Sequence, residues 1–282
     1  LYMSLISTAL KISEALTPLS ALTYLSSKIT DVPLGKVTQF LIKEFIKTYK
    51  IDVNDYENTD ISSYKTFNEF FIRKVRSDLR PIDEKAIAVS PVDGTVGQAD
   101  KIIAGRLIQA KGIDYSLSAL LGGKPDDSAP FEDGDFACIY LSPANYHRIH
   151  MPIDGKLVKT VHVPGKHFPV GHKNISYMPD LYTKNERLVC FFDTAIGSFA
   201  LVMVGAALVG SINTVWDGTV VRRKNIEEKS FIDKDIRYKK GDEIGHFKYG
   251  STVICLWGKD QGNLAPEFVP GNPILFGKAM IN

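Results

Sequence analysis

The sequence predicts an α+β protein: a β-rich core of sandwich- or barrel-like form, with amphipathic helices at its N-terminal end. Three observations predict it. Apolar residues recur at helical spacing through the first fifty residues. From Ala86 onward the pattern changes to short β-branched and aromatic runs. Turn dipeptides punctuate those runs at Asp93-Gly94, Asp154-Gly155 and Asp217-Gly218.

Leu5, Ile6, Ala9, Leu10 and Leu16 predict a first helix, which Thr17-Pro18 ends. Leu19, Leu22, Leu25 and Ile29 predict a second. A third, starting after Asp31, carries Val37, Phe40, Leu41 and Phe45 on one side. Lys36, Lys43, Lys47 and Lys50 fall together on another side, because their separations are near whole turns. Two readings stand: helices packed on a core with a solvated lysine face, or a helical hairpin lying on an anionic membrane. Thr66-Phe67-Asn68-Glu69 has the pattern of a capping box and opens a helix through about Val75, which Leu79-Arg80-Pro81 ends.

Strands are expected at Ala86–Ser90, Arg106–Lys111, Asp135–Leu141, Gly155–Val163, Arg187–Asp193, Phe199–Val204, Ala207–Val215 and Thr219–Arg222, with a short helix at Tyr115–Leu121. The irregular stretch 164–186 has the length of a lid or binding loop. Two regions are expected: a helical membrane-docking region over 1–50 and a catalytic β-rich domain over 51–282.

Composition narrows the function. A net charge of +2 over 282 residues gives no basic surplus for nucleic acid. The three cysteines, Cys138, Cys190 and Cys255, have no paired spacing and sit in apolar runs, as buried thiols do. The longest apolar stretch, Phe199 to Gly210, is too short to span a bilayer. No secretory signal pattern is read, and no internal repeat.

Three short stretches could carry chemistry. Near the C-terminal end, Lys248-Tyr249-Gly250-Ser251-Thr252 runs into the apolar Val253-Ile254-Cys255-Leu256-Trp257. Gly250 leaves its carbonyl open to close approach, and Ser251 places a hydroxyl one residue away. Ser90-Pro91-Val92-Asp93-Gly94 puts an aspartate on a turn. Tyr146-His147-Arg148-Ile149-His150-Met151-Pro152 holds two histidines three apart. A zinc site drawing on His162, His167 or His172 is disfavoured, because no cysteine or carboxylate completes a familiar ligand spacing; no metal is expected.

These stretches together resemble the phosphatidylserine decarboxylase family of prokaryotic type. The resemblance rests on Thr66-Phe67-Asn68-Glu69-Phe70-Phe71, Pro91-Val92-Asp93-Gly94, Tyr146 to Pro152, Asn185-Glu186-Arg187, Val209-Gly210-Ser211-Ile212 and Gly250-Ser251-Thr252. They occur in order, with similar spacing, over nearly the whole chain. The family's cleavage motif is commonly Leu-Gly-Ser-Thr; this chain has Tyr249 in the leucine position, a position that varies in the family.

The resemblance implies a pyruvoyl enzyme that converts phosphatidylserine to phosphatidylethanolamine and carbon dioxide. Loss of the carboxylate leaves electrons on Cα, which no ordinary side chain accepts, so a cofactor is required. The chain makes that cofactor from Ser251. Ser251 Oγ attacks the Gly250 carbonyl, and the amide becomes an ester. β-Elimination then frees a large chain ending at Gly250, and hydrolysis of the remaining dehydroalanine leaves a pyruvoyl group on the small chain. By the same resemblance His150 takes the hydroxyl proton and Asp93 orients it. The pyruvoyl ketone then holds the substrate amine as a Schiff base. His147 is the candidate acid for reprotonation, and Phe168 to Tyr177, with His167 and His172, is the candidate cover over the headgroup. Expected substrate-binding residues are therefore His147, Phe168 and His172.

The expected partners are phosphatidylserine in an anionic membrane, the two chains of one precursor, and a second copy in a homodimer. The expected location is peripheral, on the cytoplasmic face of a bacterial inner membrane. Three alternatives stay open. A Ser-His-Asp lipid hydrolase would show a Gly-x-Ser-x-Gly elbow before a helix, whereas Ser251 precedes a strand. A non-catalytic membrane-binding module needs no alignment of Asp93, His150 and Ser251. A pyruvoyl decarboxylase of a soluble amino acid would not need the amphipathic N-terminus.

Overall fold

A computed structural model of the chain describes residues 30–206, 211–248 and 251–282, without the side chains of 172 and 173. The two expected helices before residue 30 lie outside the described residues, as do the start of the 207–215 strand and Gly250.

The expected third helix forms as α1, Lys36–Tyr49. Its apolar residues divide between two faces. Ile42, Phe45 and Ile46 pack with Tyr64, Phe67, Phe70 and Phe71 into a small separate core. Val37, Phe40 and Leu41 stay exposed, as do Lys36, Lys43, Lys47 and Lys50. Residues three and four apart share a helix face, so Val37, Phe40 and Leu41 form one stripe.

The capping box opens α2, Phe67–Phe71: Thr66 Oγ1 accepts from the Glu69 amide at 3.1 Å. The Glu69 carboxylate reaches back to the Lys65 amide, one residue before the cap. The helix ends four residues earlier than the expected Val75. Beyond Phe71 the chain pairs instead with 55–57: Tyr56 bridges Val75, and the Glu57 amide donates to the Lys74 carbonyl. Arg148 Nε takes the Ile72 carbonyl.

The body is antiparallel β-structure, as the alternating runs require. Its strands are β1 Gly94–Lys101, β2 Asp135–Leu141, β3 Arg148–His150, β4 Gly155–Val163, β5 Arg187–Thr194, β6 Gly197–Gly205, β7 Ser211–Thr214, β8 Glu227–Ser230, β9 Glu243–Lys248, β10 Ser251–Trp257 and β11 Pro273–Ile274. Among the described residues the main sheet runs β8–β4–β5–β6–β10–β2–β1–β11, with Arg237–Tyr238 also on β4. It has two edges and does not close into a barrel. A smaller sheet runs Gly218–Thr219, β7, β9, β3.

Several expectations shift in detail. β1 is almost entirely Gly, Thr, Gln, Asp and Lys, so no apolar run announces it; it forms because β2 offers a ladder from Tyr140 to Asp135. Tyr115 lies in a strand, Ile113–Ser116, not in the expected helix, which begins at Leu117 with Ser116 as its cap. The expected 219–222 strand keeps only Gly218–Thr219, because residues 221 and 222 leave the small sheet and stay exposed.

β10 is the centre of the molecule. All seven of its residues are buried, between β6 on one side and β2 on the other. Each Val, Ile or Leu so buried contributes about 1.5–3 kcal/mol. Phe199 stacks on Trp257 at 4.3 Å and anchors the far end of the strand.

Candidate active site

Ser251 is the first residue of β10. It lies opposite Leu141 of β2 and Gly205 of β6, and it is fully buried. Its hydroxyl has no hydrogen-bond partner among the described residues, nor has that of the neighbouring Thr252. A buried hydroxyl left unpaired costs about 1–3 kcal/mol, so such a group calls for a functional explanation. The orphaned oxygen, next to Gly250 and facing the bare backbone of Gly205, suits a residue converted into a small carbonyl group.

Asp93 and His150 are neighbours. Asp93 receives Arg80 in a bidentate pair, Nε at 3.0 Å and Nη2 at 2.7 Å, and also the Phe276 amide at 2.8 Å. The Phe276 ring stacks on His150 at 3.8 Å. Asp93 therefore reaches His150 through Phe276 and by charge, not by a direct hydrogen bond.

Both His150 nitrogens are engaged elsewhere. Nδ1 meets the Gly241 carbonyl at 2.8 Å, and Nε2 meets the Tyr146 hydroxyl at 2.9 Å. The carbonyl can only accept, so Nδ1 carries the proton and Nε2 the lone pair. Burial lowers the pKa of His150, with the Gly241 carbonyl opposing. Burial also raises that of the Tyr146 hydroxyl. Asp93, His150 and Ser251 thus do not form one hydrogen-bonded line in this structure.

By register His147 lies nearer the serine. Its carbonyl accepts from the Phe247 amide at 3.0 Å, four residues before Ser251, whereas His150 pairs with Glu243, eight before it. The His147 ring is fully buried and stacked on Phe71 at 4.2 Å. Neither ring nitrogen has a partner in hydrogen-bond geometry among the described residues. Burial first, then the charge of Arg73, push its pKa down to about 3, and the nearby Ser142 and Pro143 carbonyls only partly oppose this. His147 is a neutral imidazole at physiological pH.

The stretch 164–186 is anchored rather than loose. The Asn185 side chain bonds both backbone groups of Phe168, and Gln109 bonds Ile175, Met178 and Leu181. Phe168 is half-buried against the main core. His172 lies in a short helix, His172–Ile175.

Sequence reasoning gave no role to three further residues here. Arg80 pairs with Asp93, but had marked only the end of a helix. Tyr146 holds His150. Glu186 is buried between His162 Nε2 at 2.9 Å, His167 Nε2 at 2.7 Å and Arg222 Nε at 3.2 Å. Burial would raise its pKa, but the two imidazoles and the Arg222 charge outweigh that and hold it at about 2. Glu186 and Tyr146 stood inside quoted motifs; a pattern marks such residues without saying what they touch. Among the described residues no cluster of His, Cys, Asp or Glu is arranged to hold a metal ion.

Comparison with known proteins agrees with this frame. The sequence model described as phosphatidylserine decarboxylase matches residues 67–282. A Coxiella burnetii (strain Dugway 5J108-111) protein named phosphatidylserine decarboxylase proenzyme is 46% identical over 246 residues, covering 86% of this chain and 87% of that relative. Proteins of the same name are 46% identical over 249 residues in Pseudoalteromonas translucida (86% of each chain) and 42% identical over 272 residues in Nitrosospira multiformis (95% of this chain, 94% of the relative). The chain belongs to the phosphatidylserine decarboxylase family.

Proposed function

We propose that this chain is a proenzyme that cuts itself between Gly250 and Ser251 and then decarboxylates phosphatidylserine to phosphatidylethanolamine with a pyruvoyl group derived from Ser251. The observation that carries the reading is the Ser251 hydroxyl, buried at the head of the central strand and without a partner among the described residues. When formed, the pyruvoyl group supplies a ketone that takes up the substrate amine and an electron sink for the bond to carbon dioxide.

The chain's own residues do the rest. Ser251 Oγ attacks the Gly250 carbonyl, and His150, neutral, is the base once its Nε2 lone pair is released from the Tyr146 hydroxyl. Asp93 acts as a positioning residue: it fixes Phe276, on which the His150 ring rests. His147 is the acid that returns a proton to the substrate carbon, a role for which its imidazole, neutral in the uncut chain, must first take up a proton when substrate is bound. Phe168 and His172, on the anchored 164–186 stretch, cover the headgroup. The β-core over 51–282 carries the chemistry and the helical region over 1–50 docks it on an anionic bilayer, peripherally and on the cytoplasmic face. Support for docking comes from the exposed Val37, Phe40 and Leu41 beside four exposed lysines. No helix among the described residues is long and apolar enough to cross a membrane.

Intact mass under denaturing conditions tests the reading. Two chains are expected, and the small one should resist Edman sequencing and gain mass with hydroxylamine or borohydride. Fully active enzyme consisting of one uncut chain with a free Ser251 would overturn it.

A further inference from the structure

Glu186 shares a row with Ser251. Residues directly opposite in neighbouring antiparallel strands point to the same face. Ser251 faces Gly205, and the Gly205 amide in turn donates to the Glu186 carbonyl at 2.9 Å. The row across the sheet is therefore Leu141, Ser251, Gly205, Glu186. Neighbouring strands lie about 4.8 Å apart, so the Ser251 and Glu186 backbones are about 10 Å apart. The position between them is a glycine. A Cβ there would meet the Glu186 carbonyl oxygen at 3.3 Å and the His167 ring at 3.7 Å. A small pocket beside Gly205 is lined by Glu186, His167, Ser211 and Arg222 together with the apolar Ile212 and Val220.

The hydrogen-bonding capacity left over in this cluster favours one kind of ligand. Both imidazoles meet the carboxylate through Nε2. Their Nδ1 atoms are buried and have no partner among the described residues. The carboxylate offers about four acceptor positions; His162 takes one on Oε1, His167 takes one on Oε2, and Arg222 lies against Oε2 as an ion pair. The spare acceptor position is on Oε1 of a carboxylate that stays ionised. The other carboxylates near the site are taken: Asp93 by Arg80 and the Phe276 amide, Glu243 by both contacts of Arg148 Nη1.

We propose that Glu186, held by His162, His167 and Arg222, is the receptor for the substrate ammonium group and delivers it across Gly205 to the atom derived from Ser251. This rests on the pyruvoyl reading, since the amine must reach that atom. The ammonium donates to the free position on Glu186 Oε1 while its carbon chain lies over the bare Gly205 backbone. No bond forms or breaks in this step.

The test uses mature enzyme whose ketone has been reduced with borohydride, so that binding is measured without turnover. The probes are glycerophosphoserine and its deamino analogue, in which hydrogen replaces the ammonium. Calorimetric titration should show the wild type binding the first at least tenfold more tightly than the second. Glu186→Gln should bring that ratio close to one, and Glu186→Asp should keep part of it. Equal affinity for the two probes in the wild type overturns the proposal without any variant being needed. A Glu186→Gln protein that keeps the wild-type ratio also overturns it. Failure of the pyruvoyl reading shows separately, as a protein whose mass borohydride does not change, and the affinity ratio is read in either case.

Discussion

The two ends of the site are built in opposite ways. Around Asp93 and His150 the polar groups are committed: Asp93 to Arg80 and the Phe276 amide, His150 to Gly241 and Tyr146. Around Ser251 they are not. Its hydroxyl, that of Thr252 and both nitrogens of His147 are buried without partners among the described residues. A committed network fixes geometry, and its members resist displacement. Uncommitted buried groups cost stability, and a fold retains them where a reacting group needs them. The contrast teaches that one end holds the base in a fixed frame and the other carries the atoms that react, so substitutions at the two should fail differently.

The largest expected effect breaks the reactive end. Ser251→Ala should fold, remain one uncut chain and have no decarboxylase activity, as intact mass and a headgroup assay would read. Because the lost hydroxyl has no partner, its thermal stability should equal or exceed that of uncut wild type. A marked drop in melting temperature would mean that Ser251 belongs to the frame.

At the frame end the loss should be graded. His150→Ala should slow self-cleavage by about 10²–10⁴-fold, the usual contribution of a general base. Asp93→Asn should be leakier in cleavage, because Asp93 acts through Phe276. It should cost more stability, about 3 kcal/mol, because Arg80 is left beside a neutral amide. Time courses of cleavage with parallel urea unfolding separate the two. If Asp93→Asn blocks cleavage as fully as Ser251→Ala, Asp93 touches the reacting atoms in the cleaving state.

Acid should sharpen the same contrast through stability. His147 is held at about 3 and His246 at about 4, both by burial and then neighbouring positive charge, against an ordinary value of 6.5. The folded state therefore binds fewer protons than the unfolded chain between those values. The stability these neutral rings contribute is complete above pH 6.5 and is lost progressively as pH falls toward 4 and 3. Each imidazole is worth on the order of 2 kcal/mol by pH 5. His147→Leu should flatten the pH dependence of the urea midpoint over this range. An unchanged profile would mean that His147 takes up a proton in the folded protein.

How much of this was legible in the sequence follows the same division. β2, β4 and most of β5, β6 and β10 are apolar runs, and their periodicity placed them closely. β1 escaped because it is polar and exists only as a partner of β2. The end of α2 escaped because a tertiary bridge, Tyr56 with Val75, overrides a local helix pattern. Asp93, His150 and Ser251 were legible as types in motifs, but their contacts were not. Arg80 is thirteen residues from Asp93 in sequence, Gly241 ninety-one from His150, and no local pattern encodes such pairings. Glu186 was visible only as a letter in a motif until the sheet register set it in line with Ser251.

The smallest expected effect concerns how the reactive end meets a membrane. Asp31, just before α1, pairs with Lys248, three residues before Ser251, so α1 is tied to this end of the molecule. Its exposed stripe of Val37, Phe40 and Leu41 lies beside exposed lysines. A diacyl lipid stays in its bilayer because each buried methylene contributes about 0.8 kcal/mol, so the enzyme has to come to the headgroup plane. Phe40 is 61% exposed, and burying such a ring in the interface is worth about 1.5–3 kcal/mol. Phe40→Asp should therefore weaken binding to vesicles containing phosphatidylserine by about tenfold or more. It should leave self-cleavage and turnover of a short-chain soluble substrate unchanged, since Phe40 touches neither core. Lys43→Gln with Lys47→Gln should weaken binding only at low salt, because exposed charges are screened over about 8–10 Å at ordinary ionic strength. Vesicle co-sedimentation at two salt concentrations, with both assays run in parallel, reads all of this. If Phe40→Asp sediments and turns over vesicle lipid like the wild type, the exposed stripe is not the docking face, and the membrane meets this end of the molecule through another surface.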